Sequence, residues 1–289
     1  MDLICNELSI YPMVNNSQEA ETYFRSALKT FEKSKDKYGF THIRFPIDFK
    51  KQNITTTQTF LEWIGTISNR NLKDAIIKLL RPPFTDDLED NELDLFYKSD
   101  YKITDKESPV KDNPIGLPVA HILSLPTISF NTHVFWQSRK INLQKTNTSE
   151  TENLHFQAYN ICLENDIEKS ELLKWADTSM IHLINTREYL VKYLAFTKYH
   201  VELTDNFWQQ LIEWKEGNFK IYKYTLLLMK DVQMHPFTGG MGQTENLKNR
   251  GKEASKRISN SYPEGDRLSY IVENNIVKFI ACKGHYTFH

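Results

Sequence analysis

Residues 267–286 read RLSYIVENNIVKFIACKGHY and contain two apolar runs with a short break between them. The runs Arg267–Glu273 and Ile276–Cys282 are rich in β-branched and aromatic residues, which favour strands. Asn274-Asn275 separates them with two residues that tolerate the left-handed backbone of a tight turn. The stretch therefore predicts a β-hairpin that begins at an arginine and is followed by a His-Tyr pair.

The residues that lead to this hairpin carry the other elements of a small mixed fold. Two more strands are predicted, at Tyr199–Leu203 and Ala254–Ser259. Between them, Thr204 or Asp205 can cap one helix, and Phe219–Met234 forms a second. The order β-α-α-β-β-β predicts an α+β unit with an antiparallel sheet and two helices packed on one side.

The chain of 289 residues is long for one domain, so two domains are predicted. Residues 1–196 are expected to form an α+β domain, and residues 197–289 form the second domain. An apolar helical pattern near residues 172–196 leads from one to the other. The expected role of the first domain is regulation, sensing or oligomerisation.

The elements of the first domain are read from local patterns. Asn16 and Glu19 can form a capping box at the start of a long helix. The segments Thr127–Trp136 and Lys140–Lys145 favour a pair of strands. The polar segment 85–113 is predicted to be a long, partly ordered connection.

Charge is almost balanced along the chain, with 36 Lys and Arg against 37 Asp and Glu. This balance excludes a general polycation that adheres to nucleic acid. A local basic cluster, opposed by Glu253, consists of Lys248, Arg250, Lys252, Lys256 and Arg257. Contact with RNA phosphate and a simple solvated face are equally compatible with such a cluster.

The three cysteines Cys5, Cys162 and Cys282 lie far apart and form no metal-binding or redox motif. They fit a reducing compartment. The first residues lack the pattern of a signal peptide, and no apolar run reaches the roughly 20 residues that span a bilayer. A cytoplasmic protein without a membrane partner is expected.

The groups around the C-terminal hairpin suit cleavage of a phosphodiester without a metal, so no metal or cofactor is expected. Such cleavage needs a base, an acid and cations. Glu245, Arg267 and His285 are the candidates. Each has a structural alternative: a solvated loop carboxylate, a cross-strand ion pair and a hydrogen-bonded sheet residue, respectively.

Residues from about Tyr199 to Tyr286 resemble the YoeB branch (Txe/YoeB) of the RelE-type toxins, which are ribosome-dependent mRNA endonucleases. The resemblance covers nearly the whole length of such a toxin and rests on motifs in a common order. These are Phe207-Trp208, Trp214, Pro236-Phe237, Gly240–Lys248, Ser255–Ile258, Arg267-Leu268 with Tyr270, and Cys282–Tyr286. The resemblance implies the RelE/YoeB fold for the second domain.

The resemblance also implies a division of catalytic roles. Glu245 is then the general base on the ribose 2′-OH, and Arg267 stabilises the phosphorane. His285 protonates the leaving 5′-oxygen, and Tyr286 stacks on or orients the nucleotide. The products expected are a 2′,3′-cyclic phosphate or 3′-phosphate and a 5′-hydroxyl.

The RNA-binding residues expected are Lys248 and Arg257, with Lys256 from the same basic cluster. The expected partners are mRNA on the ribosome, an antitoxin protein and a further copy of the chain. The function predicted is that of a toxin in a toxin–antitoxin or phage-defence system. The alternative is a binding module that keeps the toxin fold and docks on RNA or protein without cutting.

Overall fold

The computed structural model describes residues 1–147, 153–246, 253–259 and 265–284. The chain divides into two compact units, Met1–Leu183 and Ile184–His289. The division lies before a helix, Arg187–Leu194, that the sequence pattern assigns to the first domain. No helix within the described residues has the length and apolar character needed to cross a membrane.

The first unit contains a mixed sheet of six described strands. They are β1 (Asp2–Cys5), β2 (His42–Arg44), β3 (Ser99–Ile103), β4 (Thr127–Ile128), β5 (Lys140–Asn147) and β6 (Asn153–Ile161). Their order is β2-β1-β4-β6-β5-β3. The first four in this order pair in parallel, and β6, β5 and β3 pair antiparallel.

Helices and short helical turns connect these strands. They are α1 (Ser17–Tyr38), α2 (Phe60–Thr66), α3 (Arg70–Leu79), α4 (Asp90–Tyr97), α5 (Gly116–Ile122), α6 (Ser170–Trp175) and α7 (Ile181–Leu183). The side chain of Asn16 accepts a hydrogen bond from the backbone N–H of Glu19 and caps α1. The predicted capping box is only half formed, because the Glu19 carboxylate accepts from the N–H of Asn15 and not from that of Asn16. A π-helical turn, Ala176–Met180, separates α6 from α7.

Two predictions for the first unit are wrong. The polar segment 85–113 is not only a connection, because it contains α4 and β3. The pairing predicted between the segments 127–136 and 140–145 does not form. Instead, β4 joins the parallel strands, and β5 pairs with β6. Apolar and polar residues alternate along much of β6, as is typical of a strand.

The second unit starts with the helix before the first strand of its sheet. Its elements are α8 (Arg187–Leu194), β7 (His200–Leu203), α9 (Asp205–Gly217), α10 (Phe219–Val232), β8 (Thr244–Asn246), β9 (Glu253–Arg257), β10 (Arg267–Glu273) and β11 (Ile276–Ala281). The hydroxyl of Thr204 accepts from the N–H of Phe207 and caps α9. The amide oxygen of Asn218 caps α10 in the same way.

The strands of the second unit form a sheet in the order β7-β11-β10-β9-β8. The pairs among β8, β9, β10 and β11 are antiparallel, but β7 pairs with β11 in parallel. The predicted antiparallel sheet is corrected at this edge. The helices α9 and α10 carry the chain from β7 to the far edge of the sheet, where β8 runs opposite to β7. Three antiparallel pairings then reverse the direction three times, so β11 runs parallel to β7 when it reaches its side.

The predicted hairpin between β10 and β11 is confirmed. Asn274 and Asn275 have φ values of 49° and 62°, so both central residues adopt the left-handed conformation that a tight hairpin requires. The core of the unit lies between the sheet and the helices. In this core, the centre of the Phe279 ring lies 5.5 Å from that of Phe207 in α9 and 6.1 Å from that of Tyr270 in β10.

Candidate active site

The pleat of the sheet sorts the polar residues of β8, β9 and β10 onto two faces. Arg257 lies opposite Arg267, and Glu245 lies opposite Ser255, two residues before Arg257. Because side chains alternate along a strand, these groups share one face. The intervening Lys256 belongs to the other face, on which the helices pack.

Glu245 is the carboxylate at which two arginines meet. Its Oε1 atom lies 3.5 Å from Nη2 of Arg267 and 3.7 Å from Nη2 of Arg257. The Glu245 side chain is about a quarter exposed, at 28%, whereas that of Arg267 is 4% exposed. The structure thus brings together three of the residues that the sequence predicts for cleavage and RNA contact.

The guanidinium of Arg267 retains hydrogen-bonding capacity although it is buried. Its Nε and Nη1 atoms, and Nε of Arg257, have no acceptor within the described part of the chain. A buried donor without a partner is costly, so such groups are uncommon outside functional sites. Forked donors of this kind suit an anion with several oxygens, such as phosphate.

The end of β11 is fixed next to Arg267 by hydrogen bonds from two directions. The N–H of Gly284 donates to Oδ1 of Asp266 at 2.9 Å, and the N–H of Arg267 donates to the carbonyl of Gly284 at 3.2 Å. Oδ2 of Asp266 accepts from the hydroxyl of Ser259. The residue that follows Gly284 in the sequence is His285.

Side chains of helix α9 also bind the backbone at the end of β11. The side-chain oxygen of Gln210 accepts from the N–H groups of Cys282 and Lys283, at 2.8 and 3.0 Å. The indole N–H of Trp214 donates to the carbonyl of Cys282. The sequence predicts no role for Gln210 or Asp266, although Asp266 directly precedes Arg267.

Three of the predicted site residues lie outside the described residues. They are the proposed acid His285, its neighbour Tyr286 and the phosphate-contacting Lys248. Their roles stay predictions.

Lys256 does not fit the RNA contact expected of it, because its side chain is fully buried. Its ammonium lies 2.8 Å from Oδ2 of Asp231 and donates to the carbonyls of Gly239 and Met241 and to the hydroxyl of Thr244. An ammonium with so many internal acceptors does not reach a phosphate. We assign Lys256 to the support of the turn before β8.

Asp231 is the carboxylate that sequence reasoning missed in this region. Burial disfavours its ionised form, but Lys256, the His235 ring and the backbone of Met241 together outweigh burial and lower its pKa. Nδ1 of His235 lies 2.9 Å from Oδ1 of Asp231. Nothing in a single sequence indicates that Asp231 and Lys256 meet, since they lie on different elements.

Across the described residues, no group of three or more His, Cys, Asp or Glu side chains is arranged to hold a metal ion.

Comparison with known proteins finds a family that part of the second unit resembles. Residues 203–286 match the family model described as the YoeB-like toxin of bacterial type II toxin–antitoxin systems. This match confirms the predicted resemblance and leaves residues 1–202 outside it. No curated protein matches the chain.

Among solved structures, the YoeB dimer from Staphylococcus aureus is similar to this chain at 25% identity. The similarity covers 31% of this chain and all of that chain, with a TM-score of 0.28. The heterotetrameric YoeB–YefM toxin–antitoxin complex from the same organism matches at 25% identity over the same shares, with a TM-score of 0.27. The YoeB/ParE toxin from Agrobacterium tumefaciens matches at 23% identity over 30% of this chain and 99% of that chain, with a TM-score of 0.27.

Proposed function

We propose that the second unit is an endoribonuclease of the toxin type that cleaves mRNA on the ribosome. The observation that carries this proposal is the contact between the Glu245 carboxylate and the buried Arg267, whose Nε and Nη1 lack acceptors in the described residues. The family match over residues 203–286 supports it. Ribosomes place this activity in the cytoplasm.

The proposed reaction is an attack of the ribose 2′-oxygen on the adjacent phosphorus. Glu245 takes the proton of the 2′-OH, and the bond between phosphorus and the 5′-oxygen breaks. His285 gives a proton to the leaving 5′-oxygen. The products are a 2′,3′-cyclic phosphate and a 5′-hydroxyl, and a general base and acid of this kind each contribute about 10²–10⁴-fold.

Arg267 and Arg257 bind the charge that develops on the phosphorane. Arg267 offers Nε and Nη1, and its Nη2 faces Glu245. Its burial places these donors where surrounding water competes least for the phosphate oxygens. Arg257 is more exposed, at 38%, which suits a contact with the RNA backbone next to the scissile bond. Lys248 and Tyr286 are proposed to contact phosphate and nucleotide, respectively.

The test uses the full chain with mRNA on ribosomes, and the 5′ and 3′ ends of the fragments are analysed. Glu245→Gln is expected to reduce cleavage by about 10²–10⁴-fold, because the amide cannot accept the proton. The matched control is Glu202→Gln, an exposed carboxylate on β7 of the same sheet. Cleavage that stays unchanged in Glu245→Gln would remove the proposed base.

His285→Ala tests the acid separately through growth arrest on expression and mapped cut sites. Loss of cleavage is expected, and an alanine variant that stays toxic with the same cut sites contradicts the assignment. A wild-type chain that binds RNA without cutting it would favour the binding module instead.

The family description names toxin–antitoxin systems, so we propose that the second unit pairs with an antitoxin protein. We also propose a role in phage defence. A third proposal is that the chain assembles with a further copy of itself. Co-purification of the full chain with the product of an adjacent gene tests the antitoxin, and the mass of the chain in solution tests self-assembly. Plaque counts on cells with and without the chain test phage defence.

We propose further that the first unit, Met1–Leu183, restrains the nuclease or senses a trigger. A deletion that tests this should end at Leu183, because α8 belongs to the second unit. Within the second unit, the ammonium of Lys230 in α10 lies 3.8 Å from the centre of the Tyr193 ring in α8. The ring of Phe196, just after α8, packs against the ring of Phe279. The shortened chain should arrest growth more strongly, and equal or weaker arrest by a folded product contradicts the proposal.

A further inference from the structure

The ammonium of Lys256 connects helix α10, the glycine turn and strand β8. It is paired with Asp231 of α10 and donates to Gly239 and Met241 of the turn and to Thr244 of β8. Two carbonyls and one hydroxyl accept hydrogen bonds from the three ammonium protons at 3.0–3.2 Å, and the Asp231 carboxylate lies at ion-pair distance, 2.8 Å. The ammonium is therefore fully engaged, and the three segments it contacts are fixed relative to one another.

The turn is rich in glycine, which leaves its backbone free to adopt unusual conformations. Gly239, Gly240 and Gly242 all have positive φ, at 72°, 73° and 68°. At Gly240 a Cβ atom would lie 2.3 Å from Oδ2 of Asp231, so only glycine allows the turn to approach this carboxylate. The turn is thus shaped by the Asp231–Lys256 pair against which it packs.

Strand β8 depends on this anchor because it is short and lies at the edge of the sheet. It consists of Thr244–Asn246 and pairs only with β9 among the described strands. Thr244 lies opposite Lys256, and its hydroxyl accepts from the ammonium at 3.0 Å. The next residue is Glu245, which the pleat directs to the opposite face, toward Arg267.

We propose that Lys256 is a positioning residue that holds the Glu245 carboxylate opposite Arg267 through Thr244 and the glycine turn. The inference rests on the proposed nuclease function, in which Glu245 is the base. Lys256 touches neither RNA nor the reacting atoms, and its effect on catalysis passes through β8.

The test exploits two substitutions of Thr244 that separate the hydroxyl from strand propensity. Thr244→Val keeps the shape and removes the hydroxyl. Lys256 then keeps the carbonyls of Gly239 and Met241 and its ion pair with Asp231, so the unit should still fold. Thr244→Ser keeps the hydroxyl but is the poorer strand residue. If the proposal holds, Thr244→Val should be the less active variant. If Thr244 only supports the strand, Thr244→Ser should be the less active one.

In ribosome-bound mRNA cleavage, Thr244→Val should lower kcat about ten- to hundredfold, as expected for a misplaced catalytic group, with KM changed less than about twofold. Thr244→Ser should stay close to wild type. The control is Thr225→Val, which removes a hydroxyl bonded within α10 to Ile221. Equal kcat values for Val and wild type, or a lower value for Ser than for Val, would overturn the proposal.

A second measurement does not depend on nuclease activity. Amide hydrogen exchange over residues 239–246 should become faster in Thr244→Val and stay unchanged in Thr244→Ser and Thr225→Val. If the wild-type chain does not cut RNA, the proposed function fails while this exchange pattern still reports the anchor. If the wild-type chain cuts RNA and exchange over 239–246 is the same in Thr244→Val, the anchor itself is contradicted.

Discussion

The two faces of the five-stranded sheet each hold a buried cation, and the two cations differ in how they are satisfied. On the face covered by helices, the Lys256 ammonium donates three hydrogen bonds and pairs with Asp231. On the other face, the Arg267 guanidinium has Nε and Nη1 without an acceptor in the described residues. Both side chains are buried, so burial does not distinguish the two cations, whereas their hydrogen-bond partners within the described residues do.

The largest effect expected from this difference is on stability, in Lys256→Met. The substitution leaves Asp231 buried beside the turn without its cation, and breaking a buried pair in this way costs about 3–5 kcal/mol. Unfolding of the full chain in urea is monitored through a signal that comes from the second unit. The loss is measured as the change in the free energy of unfolding. Lys278→Met, at an exposed position of β11, should change it little. A similar small effect for both variants would remove the contrast between the faces.

The next effect is on activity, in Arg267→Met. Loss of a donor to the developing charge typically lowers the rate about 10²–10³-fold, so cleavage should fall by at least this factor. The unfolding free energy should stay the same or rise, because the methionine removes buried donors that lack acceptors. The opposite pattern, with stability lost and cleavage retained, would make Arg267 the structural cation of the two.

A smaller effect is expected at the turn, in Gly240→Ala. The added methyl meets Asp231, and the positive φ is unfavourable for alanine, so the cost should be about 1–3 kcal/mol, with a parallel loss of cleavage. Gly217→Ala is the matched control, since a Cβ there meets nothing within 4 Å. Thermal unfolding of the two variants decides the prediction, which fails if their midpoints coincide.

The smallest effect is the response to acid. The pKa of Asp231 is lowered from its ordinary value of 3.8, so its pairing stabilises the fold above about pH 4 and this contribution is lost as the pH falls below that value. The His235 ring and the Lys256 ammonium face this carboxylate. The difference between the unfolding free energies at about pH 5 and pH 3 should be smaller in Asp231→Asn than in wild type. An equal dependence in both would exclude Asp231 as the source.

The hairpin of the second unit could be predicted because its signal is local. Asn274-Asn275 lies between two strand-forming runs, and the structure places both residues in the left-handed region. The meeting of Glu245 with Arg267 was accessible only through the resemblance. Their separation in sequence carries no local signal, and their contact depends on the registers of β8, β9 and β10.

The interior position of Lys256 could not be read from the sequence. Lys256 and Arg257 are neighbours in one basic cluster, and the pleat sends them to opposite faces. Which of the two turns inward is decided by register, and a shift of one residue would exchange them. The parallel pairing of β7 with β11 escaped prediction for a related reason, because it joins the two ends of the unit.

The end of β11, which Gln210 and Trp214 hold through the backbone of Cys282, also supplies a chemical reporter. Burial raises the pKa of the Cys282 thiol, and it does the same for Cys5 and Cys162 in the first unit. A thiol held protonated and out of solvent reacts with alkylating reagents only when the structure around it opens. The rate at which each cysteine is labelled in the native chain thus measures how often its own unit opens, so one mass spectrum can follow both units without an introduced probe.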